Sequence, residues 1–567
     1  MKRPRGEASG PTRRDVLAAA LAPLAACSRD DSRRYEGGWI GAAHERGHLL
    51  RIGWPASKSG SAPAVASTRR VGALVVGAGI AGLGAARALH RAGVDDCHVL
   101  ELEDAAGGNS RGHAIAGMRC PLGAHYLPVP GPAASEVIEL LDDFGVRRSV
   151  AGRAVYDERM LCHSPQERLF IDGAWRDGLL PPIEALPVAE RAATLAQYRA
   201  FANAVATAAE DGAFDIPTAR SRWSDSLAAL DRLTFAAWLD AQGLVAPALR
   251  WYLDYCCRDD YGAGSAHVSA WAGLHYFASR HGFRAPGDEA RGGDGGDGVL
   301  TWPEGNAWLA ERLAAPLGER LHAGRVALAV EESRDEVAVD AWNASAGQRE
   351  RWIAACVVVA TPLFIAARLL AAPPPALAEA ARALRHAPWL VANLHLEAAL
   401  DDRPGAAPSW DNVIYAGAGL GYVDAMHQST RPFAGPTVLT AYLALGSADE
   451  ASLAEQRRRL LGDDWRIWAH RVVADLAPAH PDLAAKLRRV DLMRYGHAMS
   501  IPTPGVRSSA ALHALARPQR RVHFAHADLS AYSVFEEAVF HGTRAGRAAA
   551  AATMRRLQPR RAALGPP

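Results

Sequence analysis

The chain has 567 residues, 49% of them hydrophobic and 22% charged, with a formal net charge of +2 spread along its length. So long a chain outgrows a single hydrophobic core, so two domains are expected, and the near balance of charge excludes nucleic acid as a partner. Nothing after the N-terminus approaches the roughly 20 apolar residues of a membrane span, and the seven cysteines form neither a disulfide framework nor a metal-binding spacing, so no metal is expected.

In chain order, Thr12-Arg13-Arg14 precedes a short apolar stretch, Val16 to Ala26, that stops at Cys27. Such a stretch suits the hydrophobic part of a secretory signal and is too short to span a bilayer; a disordered alanine-rich tail is the alternative. The paired arginines resemble a twin-arginine (Tat) export signal, and Leu24-Ala25-Ala26-Cys27 resembles a bacterial lipobox. Those resemblances imply export by the Tat machinery and a lipid anchor at Cys27, with Ser28 favouring the outer membrane and the periplasmic side of the envelope. The signal would occupy residues 1–27, and 28–68 would be a polar linker with a short N-terminal extension.

Val71–Val76 is an apolar run suited to a buried parallel strand, and Leu83 onward has helical periodicity. Between them lies Gly77-Ala78-Gly79-Ile80-Ala81-Gly82, a G-x-G-x-x-G turn. The first glycine permits the tight turn, the second lets backbone approach a pyrophosphate, and the third lets helix pack on strand. The N–H groups that open the helix then face the phosphate. A second strand, His98–Leu100, ends at Glu101 and Leu102, where a carboxylate can accept from ribose hydroxyls. Together these define a Rossmann βαβ unit. Glu101 disfavours NADP, whose phosphate it would repel, and leaves NAD and FAD open.

FAD is chosen by resemblance. VLELEDAAGGNSRG (Val99–Gly112) resembles the stretch after the dinucleotide fold in the flavin-containing amine oxidase superfamily. Where that family has Gly-Gly-Arg, this chain has Gly107-Gly108-Asn109, with Arg111 two positions later, so the side chain that neutralises the pyrophosphate stays open. PLGAHYLPVPG (Pro121–Gly131) is similar to the segment that passes the flavin ring, which implies that Ala124, His125 and Tyr126 lie beside the isoalloxazine. TWPEGNAWLAERLA, RVALAV and ACVVVATP resemble the family's return to its FAD domain, with Val326 at the adenine. VHFAHADLSAYSVFEEAVFHGTRAGRAAA (Val522–Ala550) resembles its closing motif, which implies Asp528 near the ribityl and phosphate groups and Ala538 beside the flavin. His526 and Glu537 stand where the family has small residues.

The expected fold class is α/β: a discontinuous Rossmann-type FAD/NAD(P)-binding domain (69–150, 292–365 and 508–555) with an interleaved α+β substrate domain (151–291 and 366–507). Helical spacing runs through Ala189–Leu253, whereas WLVANLHLEAAL and TVLTAYLALG read as antiparallel strands. GGDGGDG (Gly292–Gly298) reads as a turn, since a calcium-binding repeat needs tandem copies.

The resemblance implies hydride transfer from an amine, polyamines among them, to the flavin. The catalytic candidates are His125, Tyr126 and His497, the last near the position where some members attach FAD covalently. Aromatic candidates for the substrate walls are Trp389, Trp410, Tyr415, Tyr422 and Tyr495, with His427 among them. Two features depart from the family. The only lysines are Lys2, Lys58 and Lys486, so none is available to hold a water at the flavin, and the aromatic cage positions fall on Ala498 and Val534, with Tyr532 near enough to substitute. Oxidation of a lipid or isoprenoid C–C bond, or a flavin-bound electron relay, are the alternative functions.

Overall fold

The computed structural model describes residues 35–54, 62–162, 166–209, 213–287, 298–431 and 433–562. The leader with Arg13, Arg14 and Cys27, and all of GGDGGDG except Gly298, lie outside them. Among the described residues no helix is long and apolar enough to cross a membrane.

The first of two large sheets has seven strands. Its parallel centre is built from Cys97–Leu100, Val65–Val76, Gln348–Val359 and Val522–Phe524, so chain segments far apart in sequence lie side by side. These strands are valine-rich and nearly continuous in hydrophobicity because both of their faces are covered. Helices Ile80–Arg91, Ala307–Ala314 and Phe535–Ala562 pack on one face, and Leu363–Leu369, Pro375–Ala383 and Ala510–Ala516 on the other. The antiparallel arm Arg325–Glu332 and Val337–Asn343 extends this sheet.

The second sheet has eight strands and is mostly antiparallel. Its centre pairs Arg385–Leu396 with Thr437–Ala444 on one side and Leu487–Ile501 on the other. The helices between Val188 and Tyr276 pack against it around an aromatic core that includes Tyr198, Phe201, Phe235 and Phe277. The expected α/β class with an interleaved second unit is the fold observed.

Part of the stretch 28–68, read as a linker with a short N-terminal extension, packs on the fold. Glu36–Trp39 adds to the second sheet as an edge strand parallel to Leu487–Ile501, and His44–Ile52 forms a helix. Specific polar contacts explain the order: Glu103 accepts from the Ala43 amide at 3.0 Å, Arg46 donates to the Leu102 carbonyl at 3.0 Å, and Arg111 donates to the Gly41 carbonyl at 2.6 Å. The segment thus bridges both sheets, with Leu50 packed on the first.

Candidate active site

One cavity, of about 450 Å³, is lined by residues of both sheets and their flanking elements. At its nucleotide end the backbone dominates. Gly77 sits at φ +101°, which favours glycine, and a Cβ on Gly82 would lie 1.8 Å from the Gly77 carbonyl oxygen. Gly79 caps the helix Ile80–Arg91 without a side-chain acceptor, and Gly77, Gly79, Ile80 and Ala81 all line the cavity. The opening N–H groups of that helix are therefore left for an anion. Ala78 and Gly82 lie behind this surface: Ala78 donates to Glu101 at 2.7 Å, and Gly82 packs on the Gly77 turn.

Glu101 is buried and also accepts from the Glu103 amide at 2.9 Å, leaving lone pairs toward the cavity. Burial pushes its carboxyl up, against those two backbone donors. Leu102 and Val326 line the same end, and Gly47 and Leu50 of the N-terminal helix close it. Gly108 lies against Gly79, and Asn109 donates to the Ala498 carbonyl at 2.6 Å; all of these line the cavity. Arg111 turns away, toward the Gly108 and Gly41 carbonyls. The uncapped helix end thus opens onto the cavity as a place where phosphates can be held.

Asp528 departs from the expected placement. Its carboxylate is completely buried and does not line the cavity, because His386 at 3.0 Å, Ser500 and the Leu363 amide at 2.9 Å take it up. Burial opposes its charge, but His526 and His386 hold the carboxyl well below the ordinary range. The groups that reach the cavity here are His386 and His526, which Asp528 positions. Ala538, on the first turn of Phe535–Ala562, lines the cavity. Glu537 beside it is consumed inside the fold by the Thr218 amide and the Ser530 hydroxyl.

Around the ring segment, side chains of the second sheet fix the loop carrying Ala124, His125 and Tyr126. Tyr442 donates to the Gly123 carbonyl at 3.0 Å, and Tyr495 to the Leu122 carbonyl at 2.8 Å. The His125 ring stacks on Tyr442, centroids 4.5 Å apart, with Trp410 at 5.5 Å. Burial pushes His125 down to about 3, which favours the neutral ring. His497 faces the cavity and packs on Phe364 at 4.6 Å; burial likewise pushes it down to about 3. Trp389, Val391 and Tyr495 line the cavity with Ala498 and Val534. Tyr422 instead bonds His480 in the sheet core, and Tyr415 packs on Trp251. Tyr532 lies behind the wall and donates to Asp260. His427 lines a separate depression with Arg168 and Asp424.

Sequence reasoning missed the acidic wall. Asp259 and Asp260, at the end of helix Pro247–Tyr261, line the cavity with Arg280 and Glu536. Arg280 donates to Glu536 at 2.9 Å and stands 3.6 Å from Asp260. Burial works against the guanidinium, yet those two carboxylates keep it charged. Burial and then Asp260 push the Asp259 carboxyl up to about 7. The one signal was RDDY, adjacent acids ending an otherwise apolar helical stretch.

A Rossmann sheet and a second sheet sharing one cavity, with an open helix end and a ribose-ready carboxylate, define a dinucleotide-dependent oxidoreductase. The chain matches the flavin-containing amine oxidoreductases over residues 80–550 and belongs to that family. Comparison with curated proteins returned no match. Among solved structures, it resembles a double mutant of putrescine oxidase redesigned in cofactor binding (18% identity, 86% of this chain and 99% of that one, TM-score 0.60). Cyclohexylamine oxidase from Brevibacterium oxydans is similar at 20% identity, 86% and 99% coverage and TM-score 0.60. A fatty acid isomerase from P. acnes that produces CLA matches at 16% identity, 83% and 97% coverage and TM-score 0.56. Likeness at such identities establishes the fold. The protein is an FAD-dependent oxidoreductase of the amine oxidase type, and the glycine cradle, open helix end and Glu101 fit that cofactor.

Proposed function

We propose that the protein oxidises an amine at its C–N bond. The observation that supports this most is the charge of the substrate end of the cavity wall: Asp259, Asp260 and Glu536 face it beside Arg280, while Arg325 lines the nucleotide end with Val326. An alkylammonium entering such a site is stabilised, whereas a fatty acid carboxylate would be repelled. That argues against a fatty acid as the lipid of the alternative reading. FAD, when bound, supplies the two-electron acceptor. The chain's own residues bind and orient. Trp389 and Tyr442 offer aromatic faces to the substrate, neutral His125 keeps a second positive charge away from it, and Val391 presents an apolar surface beside Trp389.

The test is anaerobic addition of primary and secondary amines to purified holoprotein, followed through the flavin absorbance. Bleaching by an amine, and none by unsaturated fatty acids, is expected; bleaching by a lipid alone would overturn the reading.

We further infer that the protein is exported folded by the Tat route and anchored on the periplasmic side through Cys27. The enclosure of the cofactor cavity by distant chain segments supports this, since a threaded chain would have to release FAD before crossing. Changing Arg13 and Arg14 to lysine should retain holoprotein in the cytoplasm, and Cys27→Ser should release it from the membrane. Export unchanged by the first variant would overturn the inference.

A further inference from the structure

We propose that the N-terminal segment Glu36–Ile52 is a strap that completes the FAD site: its helix closes over the adenosine end and sets how fast the cofactor leaves. This goes beyond the amine reading and is independent of the substrate.

The helix His44–Ile52 reaches the cavity through Gly47 and Leu50, three residues apart and so on one face. They line the end that also carries Glu101, Leu102 and Val326. The Gly47 backbone lies against Leu102, whose Cδ1 a Cβ would meet at 4.0 Å. Leu50 packs on the core of the first sheet as well. Leu50, Leu102 and Val326 thus offer apolar surface to a purine ring beside a carboxylate placed for the ribose. A segment that served the fold alone would have no reason to present residues to this space.

The fastenings point the same way, because they come from residues that shape the nucleotide end. The Ala43 amide donates to Glu103 at 3.0 Å, and the Glu103 amide donates to Glu101 at 2.9 Å. One loop therefore holds the strap on one side and the ribose-ready carboxylate on the other. Arg46 donates to the Leu102 carbonyl at 3.0 Å and to Asp104 at 2.7 Å. Arg111 joins the Gly41 carbonyl, at 2.6 Å, to the Gly108 carbonyl, at 3.1 Å, and Gly108 lines the cavity. Beyond the helix, Trp54 lies 4.9 Å from the Arg349 guanidinium.

The helix has little hold of its own. It is nine residues long, none of them fully buried, and Ala43 gives its first turn no side-chain cap. A helix that short is marginal by itself in water, so its closure depends on these contacts and belongs to the low end of local stability. A ligand that fills the space behind Leu50 stabilises the closed helix, and by linkage the closed helix holds that ligand to the same extent. The strap can lift without disturbing either sheet, which gives FAD a way in and out.

The test needs no substrate. Holoprotein and apoprotein are digested with trypsin, and cleavage after Arg46 and Arg51 is timed against cleavage elsewhere in the chain. FAD should slow cleavage at these two bonds at least about tenfold, and FMN, which lacks the adenosine, should not. Equal protection by FAD and FMN, or cleavage that only keeps pace with the whole chain, would make the segment an ordinary part of the fold and overturn the proposal. Leu50→Ala and Arg46→Ala, both loaded with FAD, are then compared with the wild type in FAD release, read from flavin fluorescence. Leu50→Ala should speed release about tenfold and Arg46→Ala up to about fivefold, with the unfolding midpoint of the apoprotein held. Release at the wild-type rate from both variants would also overturn it. Either failure leaves the amine reading untouched, and a holoprotein that no amine reduces leaves the strap standing.

Discussion

The two ends of the cavity are built on opposite principles. At the nucleotide end the recognising groups are backbone N–H donors at the start of Ile80–Arg91, with glycines that let backbone come close. At the substrate end they are side chains: Asp259 and Asp260 from one helix, Arg280 from the short helical turn Phe277–His281, Glu536 from the last helix and Tyr442 from the second sheet. A backbone site demands a local sequence, because only certain residues permit the turn. A side-chain site demands only that some residue of the right charge arrive, from any element.

That contrast can be broken in order of expected effect. Gly82→Val should abolish recovery of FAD-loaded protein, since its side chain would start 1.8 Å from the Gly77 carbonyl oxygen; normal flavin content would show that the turn tolerates a Cβ. Arg280→Met leaves Asp260 and Glu536 enclosed without their cation, and should cost about 3–5 kcal/mol in denaturant unfolding. An unchanged midpoint would mean that the carboxylates are neutral.

Asp259 sharpens the comparison through pH. Its carboxyl is pushed up to about 7 by burial and then by Asp260, while in the unfolded chain an aspartate titrates at about 4. The folded state thus binds the proton more tightly, and the stability this contributes is complete below about pH 4 and lost as the pH rises through about 7. Asp259→Asn should flatten the fall in stability across that window; an identical slope would place its titration elsewhere. The smallest effect is expected at the N-terminal helix. Arg46→Ala removes a partly exposed ion pair with Asp104 and one carbonyl contact, worth at most about 1 kcal/mol. It should register as faster proteolysis within His44–Ile52, with the global unfolding midpoint held.

Legibility followed the same division. Gly77, Gly79, Glu101, Val326 and Ala538 stand in the sequence with their strand–turn–helix context, and the structure brings them to one cavity. Asp528 was visible as a carboxylate, but not the fact that His386 and Ser500, remote in sequence, would take it up. His125 was visible as a ring beside the cofactor; that Tyr442 stacks on it and burial leaves it uncharged depends on an opposing strand. Asp259 showed as one acid of a pair, with nothing to indicate that the pair would face the cavity beside Arg280 and Glu536. The helix His44–Ile52 was not foreseen within the linker and short N-terminal extension, because its order comes from Glu103, Leu102 and the first sheet, not from its own weak periodicity.

The sequence by itself determined the α/β architecture and the nucleotide half of the cavity, because glycine spacing and strand periodicity are constraints that act within a few residues; FAD rather than NAD came from the family resemblance. Only the tertiary structure decided which charges are compensated, which histidines are neutral and which carboxylates face the void. Those properties depend on burial and on distances between side chains that no spacing along the chain encodes.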